Sequence, residues 1–162
     1  MGQGQGGWMP RERWEALMRG DDCPLCGAVA ASEPADAYGV TIADLGLSRL
    51  RLAANQFSPG YCVLICARHV VEPYDLADEE RAIFFGDMMR AARALERVYR
   101  PTKMNFELLG NAVPHLHCHL IPRYYGDAAP STPLQLHLPE QTRLLSAEEY
   151  AGWAGPIRAA LG

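Results

Sequence analysis

Residues 115–121 read His-Leu-His-Cys-His-Leu-Ile, so polar and apolar side chains alternate over the length of a β-strand. Side chains at every second position of a strand share one face. Three imidazoles therefore line one face of the predicted strand, while Leu116, Cys118 and Leu120 face the core. Strand propensity favours branched and aromatic residues and does not explain such a row. The pattern indicates a functional face, either catalytic or a metal site made of all three rings.

The periodicity of the remaining chain predicts an α+β domain with a mostly antiparallel, five-stranded sheet, one long helix and short N- and C-terminal helices. The predicted strands are 38–45, 47–54, 61–67, 104–109 and 115–121. Apolar residues at intervals of three or four predict helices at 10–18 and 78–99. Ser146 and Glu149 form a capping box for a last helix that ends near Leu161.

A chain of 162 residues is expected to form one domain. We expect a flexible Gly/Gln-rich lead over 1–9, a main domain over 10–125 and a C-terminal extension with a short helix over 126–162. The net charge of −4 argues against a nucleic-acid partner. Neither a membrane span nor a signal peptide is evident, so we expect a cytoplasmic protein without a membrane partner, whose five cysteines are reduced thiols or metal ligands.

The row of histidines resembles the signature of the histidine triad (HIT) superfamily, His-φ-His-φ-His-φ-φ with φ apolar, and departs from it only at the mildly apolar Cys118. Further blocks follow in the order of the family, and the resemblance covers residues 23–125. These blocks are Asn55 with Pro59-Gly60-Tyr61, the segment 63–70 (VLICARHV), the helix start at 75–80 and Gly110-Asn111-Ala112-Val113-Pro114. The resemblance implies a HIT-like catalytic domain over 10–125 that hydrolyses or transfers nucleotides.

The resemblance also implies catalytic roles for His117, His119 and His115. His117 would attack the α-phosphorus of a nucleoside 5'-phosphate derivative and form a nucleotidyl-histidine intermediate. His119 would donate to a phosphate oxygen or to the leaving group. A strand carbonyl that accepts a hydrogen bond from the second ring nitrogen of His117 would keep that ring nucleophilic.

Candidate substrate-binding residues lie around the triad. Asn105 and Asn111 occupy positions where the family places amides near the phosphates, although Asn111 after Gly110 also fits simple turn chemistry. Asn55 lies where the family holds the ribose hydroxyls. Arg123 is a candidate phosphate ligand or a surface residue. Phe57 is a candidate for the base pocket.

Cys23-Pro24-Leu25-Cys26 is a CxxC pair, which is a weak metal signal without a second pair. The resemblance implies that Cys23, Cys26, His69 and His115 form a four-coordinate structural zinc site. A reduced thiol pair and a redox pair are the alternatives. We expect no organic cofactor, and His137 is expected to be exposed.

Within the superfamily, the intact triad and Pro122-Arg123 favour a dinucleoside polyphosphate hydrolase. Many phosphoramidases carry a Ser or Thr at the position of Ala112, so this residue weighs against a phosphoramidase. Uridylyltransferases carry Gln at the position of His119, so this histidine favours hydrolysis over uridylyl transfer. A phosphoramidase, a phosphorylase that uses phosphate as acceptor, a zinc-stabilised nucleotide-binding module with little turnover and a cupin-like metalloenzyme remain open. The expected partners are a small nucleotide substrate and a second copy of the chain in a homodimer.

Overall fold

The computed structural model describes residues 7–134 and 143–162, and its fold is α+β as predicted. The helices are α1 (Arg11–Met18), α2 (Pro24–Ala30), α3 (Asp78–Tyr99) and α4 (Ala147–Ala160), with a 3-10 turn at Pro73–Asp75. The strands are β1 (Ala35–Asp36), β2 (Gly39–Asp44), β3 (Ser48–Ala53), β4 (Cys62–Cys66), β5 (Lys103–Glu107) and β6 (His117–Arg123). They form one sheet in the order β1-β2-β3-β4-β6-β5, and every pair is antiparallel.

Three local features differ from the sequence prediction. The sheet has six strands rather than five, because the two-residue β1 pairs with the start of β2 and is too short to show alternation in sequence. The CxxC segment lies in the helix α2, which begins at Pro24 in the first helical position. The histidine strand begins at His117 rather than at His115, because the chain before it is bent.

One face of the sheet is buried against α3 and forms the main core. Phe84, Leu95 and Ala91 of α3 are fully buried against Leu64 and Leu120 of the sheet. The C-terminal helix α4 packs on α3 and β2 and adds Ala154, Ile157 and Leu161 to the same cluster. The opposite face of the central strands is therefore the one left for the site.

The buried carboxylate of Asp87 fixes α3 to the β2–β3 hairpin. It accepts hydrogen bonds from the backbone N–H groups of Gly46 (3.1 Å) and Leu47 (2.8 Å) and from the Ser48 hydroxyl (2.8 Å). A Cβ at Gly46 would lie 2.8 Å from Ile83 Cγ2, so a side chain at this turn would displace the helix. The hairpin is thus held in one position relative to the core.

Some expectations fall on residues that the structure does not describe. Residues 1–6 of the predicted lead and His137 lie outside the described ranges. Within residues 7–9 of that lead, the Trp8 ring packs edge-on against Trp14 at 5.0 Å between centroids. None of the helices in the described ranges is long and apolar enough to cross a lipid bilayer.

Candidate active site and metal centre

The alternation predicted for the histidine strand is present in β6. Leu116, Cys118 and Leu120 are almost fully buried in the core under α3. His117 and His119 lie on the other face of the sheet, opposite Ile65 and Val63 of β4. Their rings are 4.9 Å apart and nearly perpendicular. Two imidazoles are therefore presented side by side on the face away from α3.

The backbone of the triad determines which nitrogen of His117 is available. Its Nδ1 lies 2.6 Å from the carbonyl oxygen of His115, and a carbonyl can only accept, so Nδ1 carries the proton. The remaining nitrogen, Nε2, then holds a lone pair. Burial lowers the pKa of His117, which favours the neutral ring. His117 has the tautomer that a nucleophile at Nε2 requires.

The neighbouring His119 is in contact with a tyrosine that we did not assign to the site from sequence. The Tyr61 hydroxyl lies 2.6 Å from His119 Nδ1, and the two rings are stacked at 5.9 Å. Tyr61 is 7% exposed, and burial raises its pKa, so the phenol stays protonated. In sequence, Tyr61 ends the Pro59-Gly60-Tyr61 block of the family resemblance and begins an apolar run, and neither feature assigns it to the site. Its place on the histidine face follows from the β4–β6 register, which the sequence does not display.

His115 leaves the histidine face and enters a buried cluster with three other side chains. It is 1% exposed, and its Nδ1 lies 3.5 Å from Cys23 Sγ, 3.4 Å from Cys26 Sγ and 3.2 Å from His69 Nδ1. Cys26 Sγ lies 3.3 Å from His69 Nδ1. The described residues bring these four side chains together as a possible metal-ion site, with all four ligand atoms within 4.8 Å of one another.

The geometry of this cluster fits a tetrahedral ion. Ligand bonds of about 2.0–2.1 Å to nitrogen and about 2.3 Å to sulfur give tetrahedral edges of about 3.3 Å between two nitrogens and about 3.6 Å between nitrogen and sulfur. The corresponding separations in the cluster are 3.2 Å between the two Nδ1 atoms and 3.3–3.5 Å between nitrogen and sulfur. The other ring nitrogens donate to backbone carbonyls, His115 Nε2 to Cys66 at 2.8 Å and His69 Nε2 to Met18 at 3.0 Å. Such outer bonds orient metal-binding imidazoles. Both rings therefore present Nδ1 to the centre of the cluster.

The protonation of the cluster agrees with this interpretation. Burial lowers the pKa of His115 to about 4, so its ring is neutral and can act as a ligand. Burial, with a hydrogen bond from the Cys26 thiol to Cys23, raises the pKa of Cys26 to about 11. A bound cation would have to displace thiol protons, which only a strongly favourable ligand interaction can do. The triad is thus divided between two sites: His115 in the cluster, His117 and His119 on the open face.

The structure places Arg123 in a network within the protein. Its Nε and Nη2 pair with Asp127 at 2.7 and 3.0 Å, and its Nη1 donates to Asn105 Oδ1 at 2.6 Å and to the Thr132 carbonyl at 2.9 Å. Nη2 also donates to the Ala129 carbonyl. All five donors of the guanidinium are used in this way. Arg123 therefore fastens residues 127–132 to the end of β6 and leaves no donor for a phosphate.

The other candidate substrate residues have contacts of their own in the structure. Asn55 Oδ1 accepts from the backbone N–H of Arg143 at 2.8 Å, next to a β-bridge between Asn55 and Leu144. Asn111 is exposed in the bend that follows Gly110, whose φ is +74°. Phe57 packs on the Tyr61 ring at 4.8 Å and lines a cavity of about 370 Å³. Their roles toward a substrate stay predictions.

A carboxyl group on β5 also belongs to this face and was missed in the sequence. Glu107 pairs directly with His119 across β5 and β6. Its Oε1 is buried without a hydrogen-bond partner among the described residues, and burial raises its pKa. An acidic residue in a predicted strand has no sequence signal that would separate it from an exposed one.

An antiparallel sheet that carries a His-x-His pair on its open face, with the first triad histidine in a Cys/His cluster, defines a histidine triad protein. The HIT domain family matches residues 35–126, and the chain belongs to this family. It is 32% identical over 99 residues to the AP-4-A phosphorylase of Mycobacterium tuberculosis, covering 57% of this chain and 51% of that protein. The chain thus spans about half the length of that relative.

Solved structures give the same fold. A histidine triad protein from Bradyrhizobium japonicum superposes with a TM-score of 0.70 at 30% identity, covering 77% of this chain and 92% of that one. A zinc-bound histidine triad family protein from Mycobacterium smegmatis superposes with a TM-score of 0.62 at 25% identity, covering 86% of this chain and 93% of that one. The α+β fold also rules out a cupin-like metalloenzyme, which would be all-β.

We predict that Arg123→Lys lowers the free energy of unfolding by about 2–4 kcal/mol, because Lys keeps the charge but cannot form the fork that holds Asp127 and the carbonyls. Chemical denaturation measures the change. The exposed Arg143 pairs only loosely with Glu149 at 3.8 Å, so the control Arg143→Lys should change stability by less than about 0.5 kcal/mol. An unchanged stability for Arg123→Lys, with weaker nucleotide binding, would show instead that Arg123 serves the substrate.

Proposed function

We propose that this protein cleaves dinucleoside polyphosphates at an α-phosphorus, with His117 as the nucleophile. The observation that carries the proposal is the 2.6 Å hydrogen bond from His117 Nδ1 to the His115 carbonyl, which leaves the Nε2 lone pair for attack. The similarity to an AP-4-A phosphorylase supports this substrate class. Ala112 offers no hydroxyl, which weighs against a phosphoramidase.

The reaction proceeds as two displacements, so one difficult step becomes two easier ones. His117 Nε2 attacks the α-phosphorus, a P–N bond forms, and the bond to the bridging oxygen breaks. Negative charge develops on the oxygen of the leaving polyphosphate, and His119 beside the attacking ring stabilises it by donating a hydrogen bond. Water or phosphate then attacks the phosphorus, the P–N bond breaks, and His117 regains its lone pair. When water is the acceptor, it releases one proton to the solvent.

The acceptor of the second step distinguishes a hydrolase from a phosphorylase. We propose water as the acceptor, and the similarity to a protein named as a phosphorylase makes phosphate the second candidate. The two acceptors give different products from di(adenosine) tetraphosphate. Water yields AMP and ATP, whereas phosphate yields ADP and ATP.

We propose zinc as the ion of the cluster formed by Cys23, Cys26, His69 and His115. Two thiolates and two imidazoles with no open position are the donor set of a structural zinc site. The ion would hold the segment that carries α1 and α2 against the residue that precedes β6. The zinc-bound relative from Mycobacterium smegmatis supports this choice of ion.

We propose that two copies of the chain associate along β5, the free edge of the sheet next to the histidine strand. Unpaired backbone groups on an edge strand favour pairing with another strand. Phe106, Leu108 and Leu109 expose apolar side chains at or just beyond this edge, at 37, 39 and 54%. A second copy would cover these side chains and extend the sheet.

Incubation of the wild type with di(adenosine) tetraphosphate, followed by phosphorus NMR with and without added phosphate, should show AMP and ATP in both samples. His117→Ala should lower turnover by at least about 1000-fold, because no other group supplies the nucleophile. Mass spectrometry after acid-free quenching should detect a nucleotidyl adduct in the wild type only. ADP in place of AMP would establish a phosphorylase, and nucleotide binding with no turnover in the wild type would establish a binding module.

Elemental analysis of the purified chain should find about one zinc per chain. Cys26→Ser should weaken zinc affinity by at least about 100-fold, because loss of a direct ligand costs more affinity than loss of a group that only hydrogen-bonds to a ligand. It should also lower the Tm, because metal binding contributes to the free energy of folding. His117→Ala is the matched control, because this histidine lies outside the cluster and should leave the metal content unchanged. Full zinc retention in Cys26→Ser would remove Cys26 from the site.

Sedimentation should give a mass of twice the 17.8 kDa chain. Leu109→Lys should raise the dissociation constant of the dimer by about tenfold or more, because a lysine at an edge strand opposes pairing. Tyr38→Lys, at the exposed turn between β1 and β2, is the control and should leave the mass unchanged. A monomeric wild type would refute association along β5.

A further inference from the structure

We propose that Tyr61 is a positioning residue for His119: its hydroxyl donates to His119 Nδ1 and thereby keeps the ring proton on Nε2. The role in turnover rests on the proposed function, whereas the tautomer is a property of the protein alone. Tyr61 does not touch the reacting atoms in this proposal. It acts by deciding which nitrogen of its neighbour can donate.

The direction of the hydrogen bond follows from the burial of the phenol. A buried hydroxyl that only accepts leaves its own hydrogen without a partner, which is unfavourable. Among the described residues, the partner of the Tyr61 hydroxyl is the His119 ring, at 2.6 Å. The hydroxyl meets its need by donating to Nδ1. A neutral imidazole whose Nδ1 accepts must carry its proton on Nε2.

The neighbouring triad residue His117 has the opposite tautomer, and the two tautomers have complementary roles. His117 Nδ1 donates to the His115 carbonyl, so its Nε2 holds a lone pair. His119 Nδ1 accepts from Tyr61, so its Nε2 holds a proton. Two rings 4.9 Å apart on one strand face are thus set as a nucleophile and a hydrogen-bond donor.

The structure holds Tyr61 in place from several sides. Gln56 is 1% exposed, and its Nε2 donates to the Tyr61 carbonyl at 2.8 Å, while its Oε1 accepts from the Gly60 N–H at 2.9 Å. Phe57 packs against the face of the Tyr61 ring. Gly60 packs so closely on the Tyr99 ring that an added Cβ would lie 2.6 Å from it. The backbone on both sides of Tyr61 is therefore held by hydrogen bonds and close packing.

The neighbours of His119 on the two adjacent strands are an aliphatic and an acidic side chain. Across β4 its neighbour is the apolar Val63, and across β5 its neighbour is Glu107. Glu107 is a strand partner by register, and its buried Oε1 makes no hydrogen bond among the described residues. Tyr61 is the group whose hydroxyl lies at hydrogen-bond distance from Nδ1.

Nitrogen NMR of histidine-labelled protein, recorded without substrate at about pH 8, well above the ordinary imidazole pKa, tests the tautomer directly. The wild type should show His119 protonated at Nε2. Tyr61→Phe should shift His119 toward a mixture of tautomers and leave His117 protonated at Nδ1. Tyr124→Phe is the matched control, because its hydroxyl donates to the Pro59 carbonyl at 2.7 Å and should leave His119 unchanged. A wild-type His119 protonated at Nδ1 would overturn the proposal.

Kinetics test whether the tautomer matters for turnover. Tyr61→Phe should lower kcat for di(adenosine) tetraphosphate by about 10- to 100-fold with a smaller change in KM, as expected for loss of a positioned hydrogen-bond donor to the leaving oxygen. For a nucleotide ester with p-nitrophenolate as leaving group, whose developing charge is spread over the aromatic ring and gains less from a hydrogen bond, the same substitution should lower the rate by less than about threefold. A merely structural defect would lower both rates equally.

A double-mutant cycle completes the test. If Tyr61 acts through His119, Tyr61→Phe should have little further effect in a His119→Ala background. Additive losses in the cycle, or equal losses for both substrates, would overturn the proposed role. If the wild type turns over no nucleotide, the proposed function fails, while the NMR result still decides the tautomer.

Discussion

A neutral imidazole has one N–H and one lone pair, so a hydrogen bond to one nitrogen decides what the other can do. The site of this protein depends on that constraint. The His115 carbonyl accepts from His117 Nδ1 at 2.6 Å and leaves the Nε2 lone pair on the open face. Because the acceptor belongs to the backbone, this arrangement depends on the chain path into β6.

The path of the chain before β6 is in turn held by the side chain of His115. Its Nδ1 lies in the cluster with Cys23, Cys26 and His69, and its Nε2 donates to the Cys66 carbonyl at the end of β4. One residue therefore joins the N-terminal helices, the central strand and the strand that carries His117. The cluster is adjacent to His117 in sequence, and it helps to fix the carbonyl that orients the His117 ring.

The sequence predicted those features that rest on local periodicity. The structure confirms that α3 spans Asp78 to Tyr99 and that Ser146 caps α4. Both features depend on residues that are only a few positions apart in sequence. Tyr61 and Glu107 were missed because their place beside His119 depends on strand register, which links residues far apart in the chain. Arg123 was proposed as a phosphate ligand only because it follows the triad in sequence. Its partners lie within residues 127–132, an irregular segment whose contacts no sequence periodicity predicts.

The apolar half of the alternation explains why the imidazoles keep their positions. Leu116, Cys118 and Leu120 pack under α3, and a rotation of β6 that moved His117 would also pull these side chains out of a close-packed core. Cys118 departs from the apolar pattern without chemical consequence, because burial raises its pKa to about 12 and it packs as a small apolar group. The packed core behind β6 therefore fixes the positions of the imidazoles. Polar contacts on the open face then orient the individual rings.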